Sequence, residues 1–368
     1  MLRRLYIDNY RSLVNFELTL GPVNLLMGAN GSGKSSVFAA LAGLRRLVYG
    51  AEPVRDCFPA SSCTRWQSRR VQTFELAVAT PEGSFHYHLE LEHAGSESLV
   101  KGERLELDGR PCLASAGEHV EIWGHDSAAP LDRGLVDPSR SSLHLAGDRP
   151  KYSAIAAFVR RVGRMHVLSP RPDAMRGWSE GEQPAPSFDL ANFASWYRHL
   201  AQERAPEMDE AREALRGVLD GFYGLRLRDS GHHEGGRKLV SEWTQGGGKR
   251  TSFDFDELSD GQRALIGLYT LLYAGGEDEV TIGVDEPDNF VALPEIQPWL
   301  GALSERASLQ TLLISHHPEI LNLYARDAGL VFRRDDGGPT RVERFTADAE
   351  ETLTPAELIA RGWYRGVQ

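Results

Sequence analysis

The sequence predicts an α/β protein: a parallel-sheet core interrupted by an antiparallel β meander and a helical insertion. Three observations lead there. The short apolar run Val23–Met27 enters a glycine-rich loop, and then Val37, Ala40, Leu41, Leu44, Leu47 and Val48 recur at helical spacing, with Gly50 placed to cap the helix C-terminus. Two later apolar runs, 280–284 and 312–314, each end in polar residues, as strands of an open parallel sheet do at their ligand-bearing ends. From Phe74 to Leu107, apolar and polar residues alternate around turns at 81–84 and 108–109, the pattern of a meander with one wet face.

The loop is the stretch around which the rest is arranged. Gly28-Ala29-Asn30-Gly31-Ser32-Gly33-Lys34-Ser35 fits G-x-x-x-x-G-K-[ST] at every fixed position. Its glycines let backbone N–H groups turn inward around phosphate oxygens. Asn30 to Ser36 are the candidate nucleotide-binding residues, with Lys34 facing the β- and γ-phosphates and the Ser35 hydroxyl offered to Mg²⁺. The chain has only five lysines among its 41 basic residues, and one occupies the single position where the motif demands lysine.

Composition sets the bounds. A chain of 368 residues can bury one large core or two smaller ones, and 41% hydrophobic and 25% charged residues are ordinary for a soluble globular protein. No apolar run is long enough to span a bilayer, and Met1–Arg4 leads straight into a strand rather than a leader, so the cytoplasm is the expected compartment and no membrane partner is expected. Cys57, Cys63 and Cys112 read as reduced and structural. The net charge of −11 argues against a broad nonspecific DNA-binding face. Arg65, Arg69 and Arg70, or Arg160, Arg161 and Arg164, are the candidate local basic stripes, with solvated surface arginine the favoured reading for both and nucleic-acid binding left open.

In chain order, Leu2–Ile7 and Val14–Leu20 read as strands leading into the loop strand, and 51–70 as irregular. His86 and His88 fall on the wet face of the meander without an evident third ligand. Residues 124–150 and 170–190 read as loops, Lys151–Val162 as a helix, Met165–Leu168 as a strand, about 190–202 and 206–221 as helices, and 225–256 as short strands on glycine-rich turns. Gly246-Gly247-Gly248-Lys249 is a hairpin turn on this reading, because no buried strand precedes it. The lobes fall at 1–122, 123–252 and 253–368.

Leu258-Ser259-Asp260-Gly261-Gln262 opens a helical run, 263–274, with Ser259 or Asp260 as cap and Gly261 permitting close approach of a phosphate. Val280–Val284 then ends in Asp285 and Glu286, a carboxylate suited to Mg²⁺ and one suited to orienting or deprotonating water. Leu312-Leu313-Ile314 ends in Ser315-His316-His317, and a histidine there can hydrogen-bond a γ-phosphate.

Phosphate loop, L-S-D-G-Q, an apolar strand with D-E-P, then S-H form an ordered set that resembles the ABC-type ATPase head, a P-loop NTPase. The opening Leu5-Tyr6-Ile7-Asp8-Asn9-Tyr10-Arg11-Ser12 is similar to the RecF, SMC and OLD branch, as are Leu258–Leu265, D-E-P and Ile314-Ser315-His316. The resemblance covers about 1–48 and 253–325. It implies ATP and Mg²⁺ as cofactors, ATP hydrolysis, Lys34 and Ser35 on phosphates and metal, Asp285 on Mg²⁺, Glu286 as catalytic base, His316 as switch histidine, and Arg11 touching nucleotide. It also implies a homodimer sandwiching two nucleotides, with Ser259 and Gly261 acting in trans on the γ-phosphate held by the other subunit. Stand-alone ATPases of this branch often accompany a separate effector, a nuclease or toxin, in defence against phage, or act in DNA repair.

The chain departs from the pattern in places. Asp285–Pro294 lacks the histidine of the OLD-like D-E-P-E-x-x-x-H-P run. Gln67 and Gln72 are both candidates for the Q-loop glutamine. The roughly fifty residues after His316 carry no acidic cluster of the kind a Toprim nuclease needs for two metals. Alternative readings are a nucleotide-gated switch with negligible turnover, a transporter ATPase subunit, which the N-x-R-S opening disfavours, and a GTPase, which lacks an N-K-x-D motif.

Overall fold

The structure, a computed structural model, describes residues 1–95, 97–124, 127–147, 149–229, 235–276, 278–346 and 353–361. The chain divides into two compact units, Met1–Met165 with Pro318–Gln368, and His166–His317.

In the first unit, β1 (Leu2–Asp8) and β2 (Phe16–Thr19) pair antiparallel. The loop strand β3 (Val23–Met27) follows, with four of its five residues buried, and then α1 (Lys34–Val48) and the short α2 (Val54–Cys57). The meander runs through β4 (Val71–Thr80), β5 (Gly83–Ala94), β6 (Glu97–Leu107), β7 (Arg110–Ala116), β8 (His119–Ile122) and β9 (Asp132–Leu135). One eight-stranded antiparallel sheet results, in the order β2-β1-β4-β5-β6-β7-β8-β9. The opening strands thus belong to the meander sheet, edge-paired through β1 and β4, and not to the sheet of β3.

The alternation sets the register of that sheet. Phe74 faces Leu89, Leu76 faces Tyr87 and Val78 faces Phe85, so every inward residue of β4 meets an inward residue of β5. Phe158, from α3 (Ser153–Gly163), closes this face, its ring 5.6 Å from that of Phe85 and 5.1 Å from that of Tyr87. The Phe58 ring lies 4.6 Å from that of Phe74, tilted 43° to it, beneath α1. A Cβ on Gly43 would come within 2.7 Å of the Phe58 ring, so this glycine is what lets α1 approach. His86 is exposed and His88 half-buried on the other face, where His88 Nδ1 lies 3.3 Å from Glu75. Among the described residues no group of three metal-ligating side chains forms.

The second unit begins at β10 (Met165–Leu168), followed by the two-residue β11 (Trp178–Ser179). Helices α4 (Phe193–Glu203) and α5 (Ala205–Val218) lead to β12 (Phe222–Asp229), β13 (Arg237–Thr244) and β14 (Arg250–Asp254). Strands β11, β12 and β14 all pair antiparallel with β13. Gly246–Lys249 is the β13–β14 hairpin turn, closed by Gln245 N donating to Lys249 O at 2.8 Å. Residues 230–234 of the stretch read as short strands lie outside the described residues.

Helix α6 (Asp260–Ala274) is buried from Ala264 to Leu272 and is the unit's central helix. It is followed by β15 (Val280–Asp285), α7 (Leu293–Glu305) and β16 (Leu309–Ile314). The parallel pair β15–β16 carries no exposed residue, and β10 lies beside β15. Trp299 of α7 donates its indole N–H to Leu268 O of α6 at 3.0 Å, which satisfies the only polar atom of that buried ring.

The chain then returns to the first unit as α8 (Pro318–Ala328), β17 (Gly329–Arg333), β18 (Arg341–Arg344) and α9 (Pro355–Ala360). β17 runs parallel to β3, with Leu330 against Leu26, and β18 pairs antiparallel with β17.

Several local expectations are corrected. Tyr49, not Gly50, caps α1, and Ala51 takes the left-handed turn at φ 54°. The stretch 124–150 contains β9, and 170–190 contains β11. Arg161 is buried at 5% exposure on the inner face of α3, so Arg160, Arg161 and Arg164 are not a solvated stripe. The cysteines form no disulfide, and burial pushes the Cys57 and Cys112 thiols up to about 12 and about 11. No helix among the described residues is long and apolar enough to cross a membrane.

Candidate functional site

The residues singled out in the sequence fall in both units, and each set is described within its own unit. In the first, β3 delivers the chain into a loop whose Gly28, Gly31 and Gly33 have φ of 137°, 78° and 107°. Such angles are costly for any residue with a Cβ. Sterics add to this at two of them. A Cβ on Gly28 would land on the Phe332 carbonyl oxygen, and one on Gly33 on the Thr340 hydroxyl. Ser32 N donates to Ala29 O at 3.1 Å and closes the turn.

Lys34 opens α1 and is 6% exposed. Its Nζ donates to Gly28 O at 2.6 Å and Ala29 O at 3.1 Å, which folds the ammonium back over the loop. No side chain caps α1 at Gly33 and no acidic residue stands in its first turn. The first turn of the helix thus supplies no carboxylate of its own to its positive end, which suits an anion site. Asn30, Gly31 and Ser35 are exposed, Ser36 is half-buried and Ser32 is buried.

Arg11 sits in the β1–β2 turn at φ 50°, exposed, with its N–H on Ser62 O at 2.7 Å and its guanidinium over the Tyr10 ring. Its neighbour Ser12 lies against the loop, 2.9 Å from where a Gly33 Cβ would be. Of the two Q-loop candidates, Gln72 is fully buried and saturated. Its amide N donates to Asn9 O and Ser62 Oγ, while its oxygen meets His93 Nε2 at 3.0 Å. It is a structural bridge between β4, β5 and the 62–64 turn. Gln67 remains half-buried, with its oxygen on Arg69.

In the second unit, Asp285 is half-buried at the carboxyl end of β15, opposite Ile314 of β16. Glu286 follows at φ 52°, and its N–H still reaches Ile314 O at 2.8 Å. One carboxylate oxygen accepts from Asn289 Nδ2 at 2.5 Å. The turn from Pro287 to Phe290 is braced from β16: the Ser315 hydroxyl donates to Asp288 at 2.7 Å and accepts from His317 N at 3.0 Å. His316, between them, is exposed.

Ser259 is the N-cap of α6. Its Oγ accepts from Gln262 N at 3.3 Å while Gln262 Oε1 accepts from Ser259 N at 3.0 Å, a reciprocal capping box. The group nearest Gly261 is the Phe290 carbonyl oxygen, 2.6 Å from where a Cβ would lie, so the glycine allows α6 to pack on the turn after Glu286. A cleft of about 730 Å³ opens beside this helix start, bordered by Ser259, Gly261, Gln262, Trp243, Phe290 and Glu295.

Nothing in the sequence pointed to Thr340, Arg334, Asn289 or the Ser315–Asp288 brace. Thr340 and Arg334 bond to the loop from some three hundred residues away, at separations of 308 and 303. No local periodicity carries such pairings.

Comparison with known proteins agrees with this architecture. The sequence model described as AAA domain matches residues 4–44, which span β1 to most of α1. An OLD nuclease of Thermus scotoductus is 22% identical over 354 residues, covering 91% of this chain and 62% of its own length. A crystal structure of an SMC head bound to the C-winged helix domain of ScpA superposes with a TM-score of 0.53 at 13% identity, over 93% of this chain and 97% of that one. The SMC head domain of Thermotoga maritima gives 0.46 at 14% identity, over 94% and 99%. The chain has the P-loop NTPase fold of an SMC ATPase head, and its resemblance to ABC-type ATPases of the SMC and OLD-like branch is supported in sequence and in fold.

Proposed function

We propose that this chain binds ATP with Mg²⁺ and hydrolyses it, and that nucleotide closes two copies into a sandwich that drives or gates a partner. The observation that carries the reading is the uncapped, acid-free start of α1 behind three left-handed glycines, with Lys34 buried at its first position. The donor set fits the cofactors. Inward N–H groups and an ammonium suit a triphosphate. The Ser35 hydroxyl and the Asp285 carboxylate are hard oxygen donors, suited to an Mg²⁺ that takes its remaining ligands from phosphate and water.

On this reading Lys34 binds the β- and γ-phosphates, and Ser35 and Asp285 hold the metal. Glu286 takes the proton of the attacking water and His316 hydrogen-bonds the γ-phosphate. The bound Mg²⁺ would neutralise charge on the transferred phosphoryl group. Arg11 contacts the nucleotide from the β1–β2 turn. Ser259 and Gly261 address the γ-phosphate of the other copy. That contact requires Ser259 to release part of its capping box, or the N–H groups of α6 to serve in its place.

The partner is proposed to be a separate effector, a nuclease or toxin, in phage defence or DNA repair. The support is the likeness to an OLD nuclease, of whose length this chain matches 62%.

Calorimetric titration with ATP and Mg²⁺ tests the first step. Lys34→Ala should weaken binding by about 2–3 kcal/mol or more, the worth of a charge-assisted contact in a buried setting. Affinity unchanged from wild type would show that the loop is not the nucleotide site.

A further inference from the structure

The phosphate loop is fastened from outside by the segment between β17 and β18. Thr340 is fully buried, and its Oγ1 lies 2.9 Å from Ser32 O and 2.9 Å from Ser12 Oγ. A carbonyl can only accept, so the Thr340 hydrogen goes to Ser32 O and the Ser12 hydroxyl donates to Thr340 Oγ1. The Thr340 N–H donates to Ser12 O at 2.8 Å. The same hydroxyl fills the space that a Cβ on Gly33 would need. Arg334 adds a second tie, its Nη1 donating to Gly31 O at 3.0 Å, with the guanidinium over the Trp66 ring.

We infer that Thr340 is a positioning residue for nucleotide binding: its buried hydroxyl sets the orientation of the Ser32–Gly33 peptide and hence of the N–H groups that enter the loop. Thr340 does not touch nucleotide. It acts through Ser32, which stands two residues before Lys34. Consecutive N–H groups converge on one anion only if each peptide plane is held at its angle, and a carbonyl pinned on one side of a plane fixes the N–H on the other. The Arg334 tie is exposed and exchanges readily with water, so it holds the loop less firmly. Thr340 has no such competitor. The inference rests on the nucleotide reading for its consequence, but not for the ordering of the loop itself.

Two measurements on wild type, Thr340→Val, Thr340→Ser and Ser12→Ala separate these. In hydrogen exchange without ligand, peptides covering residues 28–36 should exchange about tenfold faster in Thr340→Val than in wild type, and at near wild-type rate in Thr340→Ser. Calorimetry with ATP and Mg²⁺ should show about a tenfold weaker affinity for Thr340→Val, restored by Thr340→Ser. Ser12→Ala, which keeps the tie to Ser32, should change affinity about twofold or less. Exchange in Thr340→Val equal to wild type overturns the inference whatever the calorimetry gives, as does faster exchange with unaltered ATP affinity. If wild type itself binds no ATP, the nucleotide reading fails and the role in binding fails with it, while the exchange data still decide whether Thr340 orders the loop.

Discussion

Glu286 owes its proposed role to its backbone angle and to one neighbour at the residue scale. The left-handed φ of 52° turns the chain away from the strand, and the Asn289 amide holds one carboxylate oxygen. Asn289→Ala should therefore slow phosphate release by up to about tenfold, since an oriented base works better than a free one, while ATP affinity stays the same. An unaltered rate in that variant would show that Asn289 does not orient the base. The position of Glu286 was readable, because two carboxylates ending an apolar run have few other uses. Its backbone angle and its amide partner were not, because both arise from the turn between β15 and α7. Buried polar residues were the hardest to read from sequence. Gln72 and Arg161 look like surface groups by type, yet tertiary partners or neighbours hold them inside.

At the scale of elements, β3, the loop and α1 were legible because their signals are local: an apolar run, a fixed motif and a 3.6-residue period. The same holds for β4 and β5, whose alternation is unbroken. Strand β6 was only partly legible because Glu103 faces the core. It is satisfied there by the Tyr87 hydroxyl at 2.7 Å, the Ser141 hydroxyl and the Ser142 N–H at 2.6 Å. Helix α7 was hidden by its two prolines, one at its start and one, Pro298, inside it.

The loop's glycine requirement gives a sharp test. Gly33→Ala combines a left-handed φ of 107° with a methyl placed on the Thr340 hydroxyl, and should cost roughly 1–3 kcal/mol in denaturant unfolding as well as nucleotide binding. Gly31→Ala, where nothing lies within 4 Å of the added Cβ, should cost less. Equal losses at the two positions would mean that backbone angle alone matters.

Protonation bears on the meander through His93. Its ring is buried between Ser98 and Gln72, and desolvation, with Arg70 adding to it, lowers its pKa from the ordinary value. The unfolded chain then binds the proton more readily than the folded one, so stability should fall as pH drops below the ordinary histidine value of about 6.5. Melting curves from pH 8 to pH 5.5 should show this decline, and His93→Gln should reduce it. A decline of equal size in that variant would place the effect on other groups.

On the scale of the whole molecule, the proposed nucleotide sandwich takes two copies. The start of α6 is the positive end of its dipole, with the Ser259–Gln262 box across it and Asp260 in its first turn, and the turn at Phe290 lies against it, exposed at 58%. Two chains of net charge −11 repel at long range, but salt screens this beyond about 8–10 Å, so local contacts decide. Light scattering of Glu286→Gln with ATP and Mg²⁺ should report a dimer, and Ser259→Arg in that background should return a monomer. Assembly that survives Ser259→Arg would reduce the start of α6 to an ordinary capped helix.

Steady-state phosphate release, measured on wild type and Glu286→Gln at saturating ATP and Mg²⁺, tests the central claim most directly. Wild type should turn over. Glu286→Gln should lose about two to four orders of magnitude in rate, the usual worth of a general base, while still binding ATP. Release by Glu286→Gln at the wild-type rate, or no release by a wild-type protein that binds ATP, would contradict the assignment of Glu286 as the base of an ATPase.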